Sequence, residues 1–485
     1  MLFTNHFFRS APIAGRLLTT ALLGLLALSA AHADTSAPRA SVFKDGDRYA
    51  IVGDSITQSG TYHTWVALYY TTRFPQLDLA LTNCGISGDS TGGTLRRYGW
   101  DIAPFQPTVA TVMLGMNDIG RDKYGQPNPP QDVLDYQMRK IEAYKENMTK
   151  LVKQLQDDGA RVVLVTPSPY DDTADLPSES YVGANAALGE CADFLTQMAA
   201  DSNGEIELID LHGPLTALNL EQQKTDPSFT ITGPDRVHPQ SPGHLAMAYF
   251  FLKAQGAPAE VSAVGIDASK QSVTVARNAK VSDVTYDAAK ATLSFTSLEG
   301  AIPFSVSEYS SPALEYIDFN EDLNREMLTV ANLPAGSYTI SIDGQPVGEA
   351  CSWSAEELAS GINLSTLDDT PQARQAAKVR DIVVGWWSLM LRGDRTIANV
   401  EHWHLRDIPH PIAFEDVQAG LEEKLARLEA SDKRLDKLNA KYIKRYLEMK
   451  PKQEEIEKEL PQMIEQARAA AQPVPHTYVI SPAQS

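Results

Sequence analysis

Basic charge is what this chain lacks. Its 485 residues carry 42 Lys and Arg against 62 Asp and Glu, a formal net charge of −20. That imbalance repels phosphate backbones and anionic headgroups, and so argues against nucleic acid and anionic membrane surfaces as partners. Cysteine is scarce as well: Cys84, Cys191 and Cys351 are the full set. Three scattered thiols make neither a disulfide framework nor a metal cage, although one bridge is possible in an oxidising compartment. Repeats and low-complexity segments are absent. So are long apolar runs beyond the N-terminus, and no stable membrane insertion is expected. The one apolar run, residues 17–28, follows Arg9 and Arg16 and precedes Ala31-His32-Ala33. It is too short to span a bilayer and reads as an export signal cleaved after Ala33, which implies a periplasmic or extracellular protein.

What is there is a globular composition, 43% hydrophobic, in a chain longer than one ordinary domain. Four regions are expected: the signal peptide 1–33, a catalytic α/β domain 34–258, a small β-sandwich-like domain 259–352, and a helical C-terminal region 353–485. Within 34–258 strand and helix patterns alternate. Strands are predicted over 49–54, 77–84, 108–114, 161–166 and 205–211, and helices over 64–74, 93–102, 131–157, 182–198 and 241–254. The strands are almost continuously apolar, the mark of a parallel sheet covered on both faces. Ligands of such sheets bind at the carboxyl ends of the strands. Past 258 the apolar period becomes two, and Asp343-Gly344 is a hairpin turn signal. From 371 the pattern is helical, with 414–449 expected as one amphipathic helix and 473 onward as a tail. Trp386, Trp387 and Trp403 are assigned to core.

The chemistry lies in four loops. Gly53-Asp54-Ser55, Ser87-Gly88-Asp89 and Gly115-Met116-Asn117-Asp118 each follow a predicted strand, and Asp235-Arg236-Val237-His238 precedes the last helix of the α/β region. A serine hydroxyl needs a base to take its proton, and His238 is suited to that near neutral pH. Asp235, three residues earlier, can reach the imidazole Nδ1–H and leave Nε2 facing Ser55. The tetrahedral oxyanion then needs donors. The backbone N–H groups of Ser55 and Gly88 and the side-chain amide of Asn117 are the candidates. Singly, each residue has an ordinary alternative as a turn serine, a turn asparagine or a capping aspartate. Their convergence on one sheet edge is what selects the catalytic reading. Asp54 is assigned to loop backbone and His244 to structure, while His63 is a weaker candidate for the site. His402 and His404 lack a nearby third ligand, so no metal site is expected, and no cofactor.

Those four blocks, in this order over residues 45–255, resemble the SGNH (GDSL) hydrolase family. Gly53-Asp54-Ser55-Ile56-Thr57 resembles its first block, and Asn83-x-Gly85-x-Ser87-Gly88-Asp89-Ser90-Thr91 its second. Gly115-Met116-Asn117-Asp118 resembles the third and Asp235-x-x-His238-Pro239 the last. Met116 departs from a common glycine but leaves Asn117 in place. The resemblance implies a flavodoxin-like α/β/α sandwich, nucleophile Ser55, oxyanion donors Gly88 and Asn117, and the base pair Asp235–His238. It implies a serine esterase acting on small-molecule or polysaccharide esters. The expected substrate is O-acetylated carbohydrate; the alternatives are an extracellular lipase or lysophospholipase, or a glycan-binding or scaffold protein that keeps only the fold. Oligomeric state is left open.

Overall fold

Five strands, apolar over most of their length, make the central sheet. In the computed structural model, which describes residues 42–348 and 351–483, they are β1 (Arg48–Gly53), β2 (Ala80–Gly85), β3 (Val109–Met113), β4 (Arg161–Val165) and β5 (Ile206–Ile209). All are parallel, in the order β2-β1-β3-β4-β5. That is the flavodoxin-like order, and β1 lies inside the sheet. Every residue of β3 and all but the first of β1 are buried, which is why neither strand alternates in polarity. Helices Tyr62–Arg73 and Ser241–Ala254 pack together, as do Gln131–Asp157 and Ala184–Asp201, to cover the sheet. The fold is the expected α/β/α sandwich. The expected export signal, residues 1–33, lies outside the described residues.

The β region is built from two sheets. One runs Ile362–Asn363, Arg325–Ala331, Glu260–Asp267, Ser272–Arg277. The other runs Gln345–Val347, Ser337–Ile342, His476–Pro482, Thr292–Glu299, Ala279–Asp287. Asp343-Gly344 forms the expected turn, with Ile342 opposite Gln345. The segment from 473, expected as a tail, instead supplies the strand His476–Pro482 between two strands of the β region. Its His476, Tyr478 and Ile480 point inward, and Tyr478 stacks on Phe295 with ring centroids 4.9 Å apart. A short strand whose partners are far away in sequence gives little local signal. The expected single helix 414–449 is two helices, Phe414–Glu429 and Arg434–Met449, packed against each other. Ser431 breaks it: its Oγ accepts from the Lys433 N–H and donates to Asp436.

The C-terminal helices complete the catalytic core. Ala376, Val379 and Val383 of helix Pro371–Arg392 belong to the same buried cluster as Tyr69 and Val52. Trp386, 1% exposed, joins Met390 and Ile464 over Leu81 of β2. The α/β, β and helical regions cluster as one compact unit. Among the described residues, no helix is long and apolar enough to cross a membrane.

Candidate active site

β1 ends at Gly53, and Asp54 turns the chain. Its Oδ1 accepts from the Ile56 N–H at 2.9 Å and caps the short helix Ser55–Ser59. Ser55 is thereby the first residue of that helix, at the carboxyl edge of the sheet. Ser55 Oγ lies 2.8 Å from His238 Nε2, and His238 Nδ1 lies 2.6 Å from Asp235 Oδ2. Asp235 Oδ1 accepts from the backbone N–H of Val237 at 3.1 Å and of His238 at 3.0 Å. Partial burial pushes the Asp235 carboxyl up, but the bonds from His238 and the two N–H groups outweigh it and hold the carboxyl well below the usual range. An ionised Asp235 keeps the proton on Nδ1 and leaves Nε2 to accept from Ser55.

Between Asp235 and His238 stands Arg236, which sequence reasoning passed over. Its backbone is left-handed, φ +64°, unusual for a non-glycine residue. The side chain is buried and holds that turn in place. The guanidinium donates to the carbonyls of Asp171, Ala174, Leu176 and Ser178 at 3.0–3.1 Å. Asp235 and His238 are thus mounted on a loop pinned to the segment after β4.

The donor side is built from the loops after β2 and β3. Gly88 is left-handed, φ +79°, a conformation that disfavours any Cβ. At Gly85 a Cβ would stand 2.3 Å from the Gln58 nitrogen, so this loop approaches the nucleophile helix closely. The backbone N–H groups of Ser55 and Gly88 have no hydrogen bond among the described residues. Asn117 Nδ2 donates to the Asp89 carbonyl at 2.9 Å and to Asp54 Oδ2 at 3.3 Å, and its Oδ1 accepts from Arg121 at 3.2 Å. Asp118 ties the two loops by accepting from Thr91 N–H at 2.9 Å and Thr91 Oγ at 2.6 Å. Burial pushes the carboxyls of Asp54 and Asp118 up to about 6. His63 is buried, with Nε2 2.9 Å from the Thr57 carbonyl, and burial pushes it down to about 4. It thereby braces the helix Ser55–Ser59. His244 is buried under Tyr62, rings parallel at 6.3 Å, and burial pushes it down to about 3.

One whole face of the donor loop comes from helix Asp394–His404, which sequence reasoning had left out of the site. Trp403 Nε1 donates to the Ser87 carbonyl at 3.0 Å. Asn399 Nδ2 donates to Gln58 Oε1 at 3.2 Å, and the same oxygen accepts from the Ser87 N–H. His402 Nε2 lies 3.3 Å from Asp89 Oδ1. Burial raises the Asp89 carboxyl, but His402 and Arg97, whose Nε is 2.7 Å from Oδ2, bring it down to about 2. Core packing, the assignment made for all three tryptophans, describes Trp386 and not Trp403, which is half-buried and faces the donor loop. The available signal was the spacing: Asn399, His402 and Trp403 share one helix face at i, i+3 and i+4.

Among the described residues no group of three or more His, Cys, Asp or Glu is placed to hold a metal ion. Cys84, Cys191 and Cys351 are all free thiols. A cavity of about 1550 Å³ lies between the helical region and Trp100, Asp101 and Phe105, and neither Ser55 nor His238 lines it. Ser55 and His238 are both half-buried.

Residues 51–246 match the GDSL-like Lipase/Acylhydrolase family. An acetylxylan esterase of Geobacillus stearothermophilus is 23% identical over 229 residues, which covers 44% of this chain and 94% of that protein. The solved structure of BT4096, a gut microbial diltiazem-metabolizing enzyme, is similar over 92% of this chain and 100% of its own, at 29% identity and a TM-score of 0.82. That likeness takes in the β and helical regions as well as the sandwich. With its four blocks gathered at one sheet edge, the chain belongs to the SGNH/GDSL hydrolases and is a carboxylic ester hydrolase.

Proposed function

We propose that this esterase is exported and removes O-acetyl groups from carbohydrate, with Ser55 as its nucleophile. The observation that carries the mechanism is the unbroken chain Ser55 Oγ–His238–Asp235, at 2.8 and 2.6 Å. His238 Nε2 takes the serine proton as Oγ attacks the ester carbonyl. The oxyanion is received by the N–H groups of Ser55 and Gly88 and by Asn117 Nδ2, whose longer 3.3 Å contact to Asp54 gives way. His238 then protonates the leaving alkoxide, and water discharges the acyl-enzyme with the same base. Asp54 orients Ser55 and Asn117 and takes no part in proton transfer.

The acetyl and carbohydrate reading is supported by the acetylxylan esterase relative. Export is supported by the basic, apolar, small-residue order of residues 9–33. A second reading, small-molecule esters of other alcohols, is favoured by the likeness of nearly the whole chain to a diltiazem-metabolizing enzyme. Hydrolysis rates on an aryl acetate, acetylated xylo-oligosaccharides and long-chain aryl esters separate the readings. Acetylated sugar should be turned over with the highest kcat/KM. Preference for long acyl chains would overturn the deacetylase reading in favour of a lipase, and indifference to the sugar would favour the second. N-terminal sequencing of the protein recovered outside the cytoplasm should begin at Asp34.

A further inference from the structure

The donor loop is gripped from outside the catalytic region. The Ser87 carbonyl and the Gly88 N–H belong to one planar trans peptide, so they point in opposite directions. Trp403 Nε1 holds that carbonyl at 3.0 Å, and Gln58, itself held by Asn399 at 3.2 Å, takes the Ser87 N–H. The plane of the Ser87–Gly88 peptide is therefore set by helix Asp394–His404, and with it the direction of the Gly88 N–H. The Trp403 ring also borders the open side of this donor: its Cζ2 would lie 3.7 Å from a Cβ on Gly88. Gly88 is exposed and Trp403 half-buried, so the ring edge borders solvent-accessible space beside Gly88. The leaving oxygen must face His238 Nε2 to be protonated. With the oxyanion at the donors, the acyl chain takes a third direction, and the exposed flank of Gly88 that the Trp403 ring borders is open to it.

We infer that Trp403 is a positioning and specificity-determining residue, which aims the Gly88 N–H at the oxyanion and walls the acyl pocket so that short acyl groups are preferred. The inference rests on Ser55 being the nucleophile. Asn399 and His402 support the same loop through Gln58 and Asp89.

The test is a series of p-nitrophenyl acetate, butyrate and hexanoate, with wild type, Trp403→Phe and Trp403→Ala. Removing an oxyanion donor costs on the order of 10²–10³ in kcat, and misdirecting one costs less. Trp403→Phe keeps the wall and loses the N–H. Its kcat should fall roughly 10-fold or more on every ester, with KM and the chain-length order unchanged. Trp403→Ala loses both. Its kcat should fall likewise, and its butyrate-to-acetate ratio of kcat/KM should rise at least about 10-fold, since one methylene accepted or refused is worth roughly 10–200-fold. An unaltered thermal midpoint in Trp403→Phe separates this from loss of fold. Full kcat in Trp403→Phe would overturn the positioning role, and an unchanged ratio in Trp403→Ala would overturn the acyl wall. Ser55→Ala in the same assay keeps the two ideas apart: full turnover there would sink the nucleophile and the inference together.

Discussion

Asp101 is the residue whose removal tests most sharply whether the C-terminal helices are fastened to the catalytic sandwich. It sits in a π turn, Tyr98–Ile102, with its side chain 3% exposed. Arg395, from the far helical region, meets it with two nitrogens at 2.9 and 3.2 Å, and Arg97 meets the same carboxylate from within the sandwich. Burial alone would raise the Asp101 carboxyl, but the two guanidinium groups hold it below the usual range and ionised. Among the described residues, Asp101→Ala leaves Arg97 with Asp89, at 2.7 Å, as its acidic partner and Arg395 with Asp394, at 2.8 Å. Removing one partner of a buried pair typically costs about 3–5 kcal/mol, because the other charge stays buried. The remaining acids soften that, so about 3 kcal/mol is expected in urea unfolding followed by tryptophan fluorescence. Arg395→Met should cost a similar amount. The double variant should cost less than the two together by about 1.5–3 kcal/mol, the worth of a charge-assisted hydrogen-bonded pair. A loss below about 1 kcal/mol in Asp101→Ala, the range of an exposed ion pair, would refute the reasoning.

Asp235→Asn should lower kcat by up to about 10⁴-fold with little change in stability, since it disfavours the useful His238 tautomer; unchanged turnover would remove Asp235 from the mechanism. Glu326 is buried in the β region, with no hydrogen bond to either oxygen among the described residues. Burial and neighbouring Glu299 push it up to about 8 against the pull of Arg73. A raised carboxyl keeps its proton in the folded protein, so its penalty grows as pH rises from about 4.5 and is complete above about 8. Glu326→Gln should therefore gain on the order of 2–4 kcal/mol over wild type at pH 9 and almost nothing at pH 5, and a difference that does not vary with pH would contradict this. Deleting 259–485 should yield insoluble protein, because Ala376, Val379, Val383 and Trp386 cover sandwich core; a soluble, active fragment would show that the cover is dispensable.

The sandwich could be read from the sequence because β1 and β3 are buried on both faces and carry uninterrupted apolar runs. The loops stand out in the sequence because each holds residue types that ester chemistry needs, and the fold joins Ser55, His238 and Asp235 in one hydrogen-bonded chain. What stayed hidden depends on long-range pairing. The strand His476–Pro482 is seven residues whose hydrogen-bond partners lie far back in the chain. Arg236 has the look of a surface residue until Asp171, Ala174, Leu176 and Ser178 turn their carbonyls to it. In the sequence His402 pairs with His404 as a poor metal spacing and Trp403 reads as core, whereas the partners of His402 and Trp403 are Asp89 and Ser87, in a loop some 300 residues earlier. The reading of Asp54 as a backbone-binding turn residue agrees with its bond to Ile56.

Covalent labelling is the most direct test of the central claim, that Ser55 attacks with His238 as its base. Treated with a fluorophosphonate probe, the full-length enzyme should carry one adduct, and peptide mass spectrometry should place it on Ser55. His238→Ala should label far more slowly, and Ser55→Ala should neither label nor hydrolyse p-nitrophenyl acetate. An adduct on another serine, or wild-type hydrolysis by Ser55→Ala, would contradict the account.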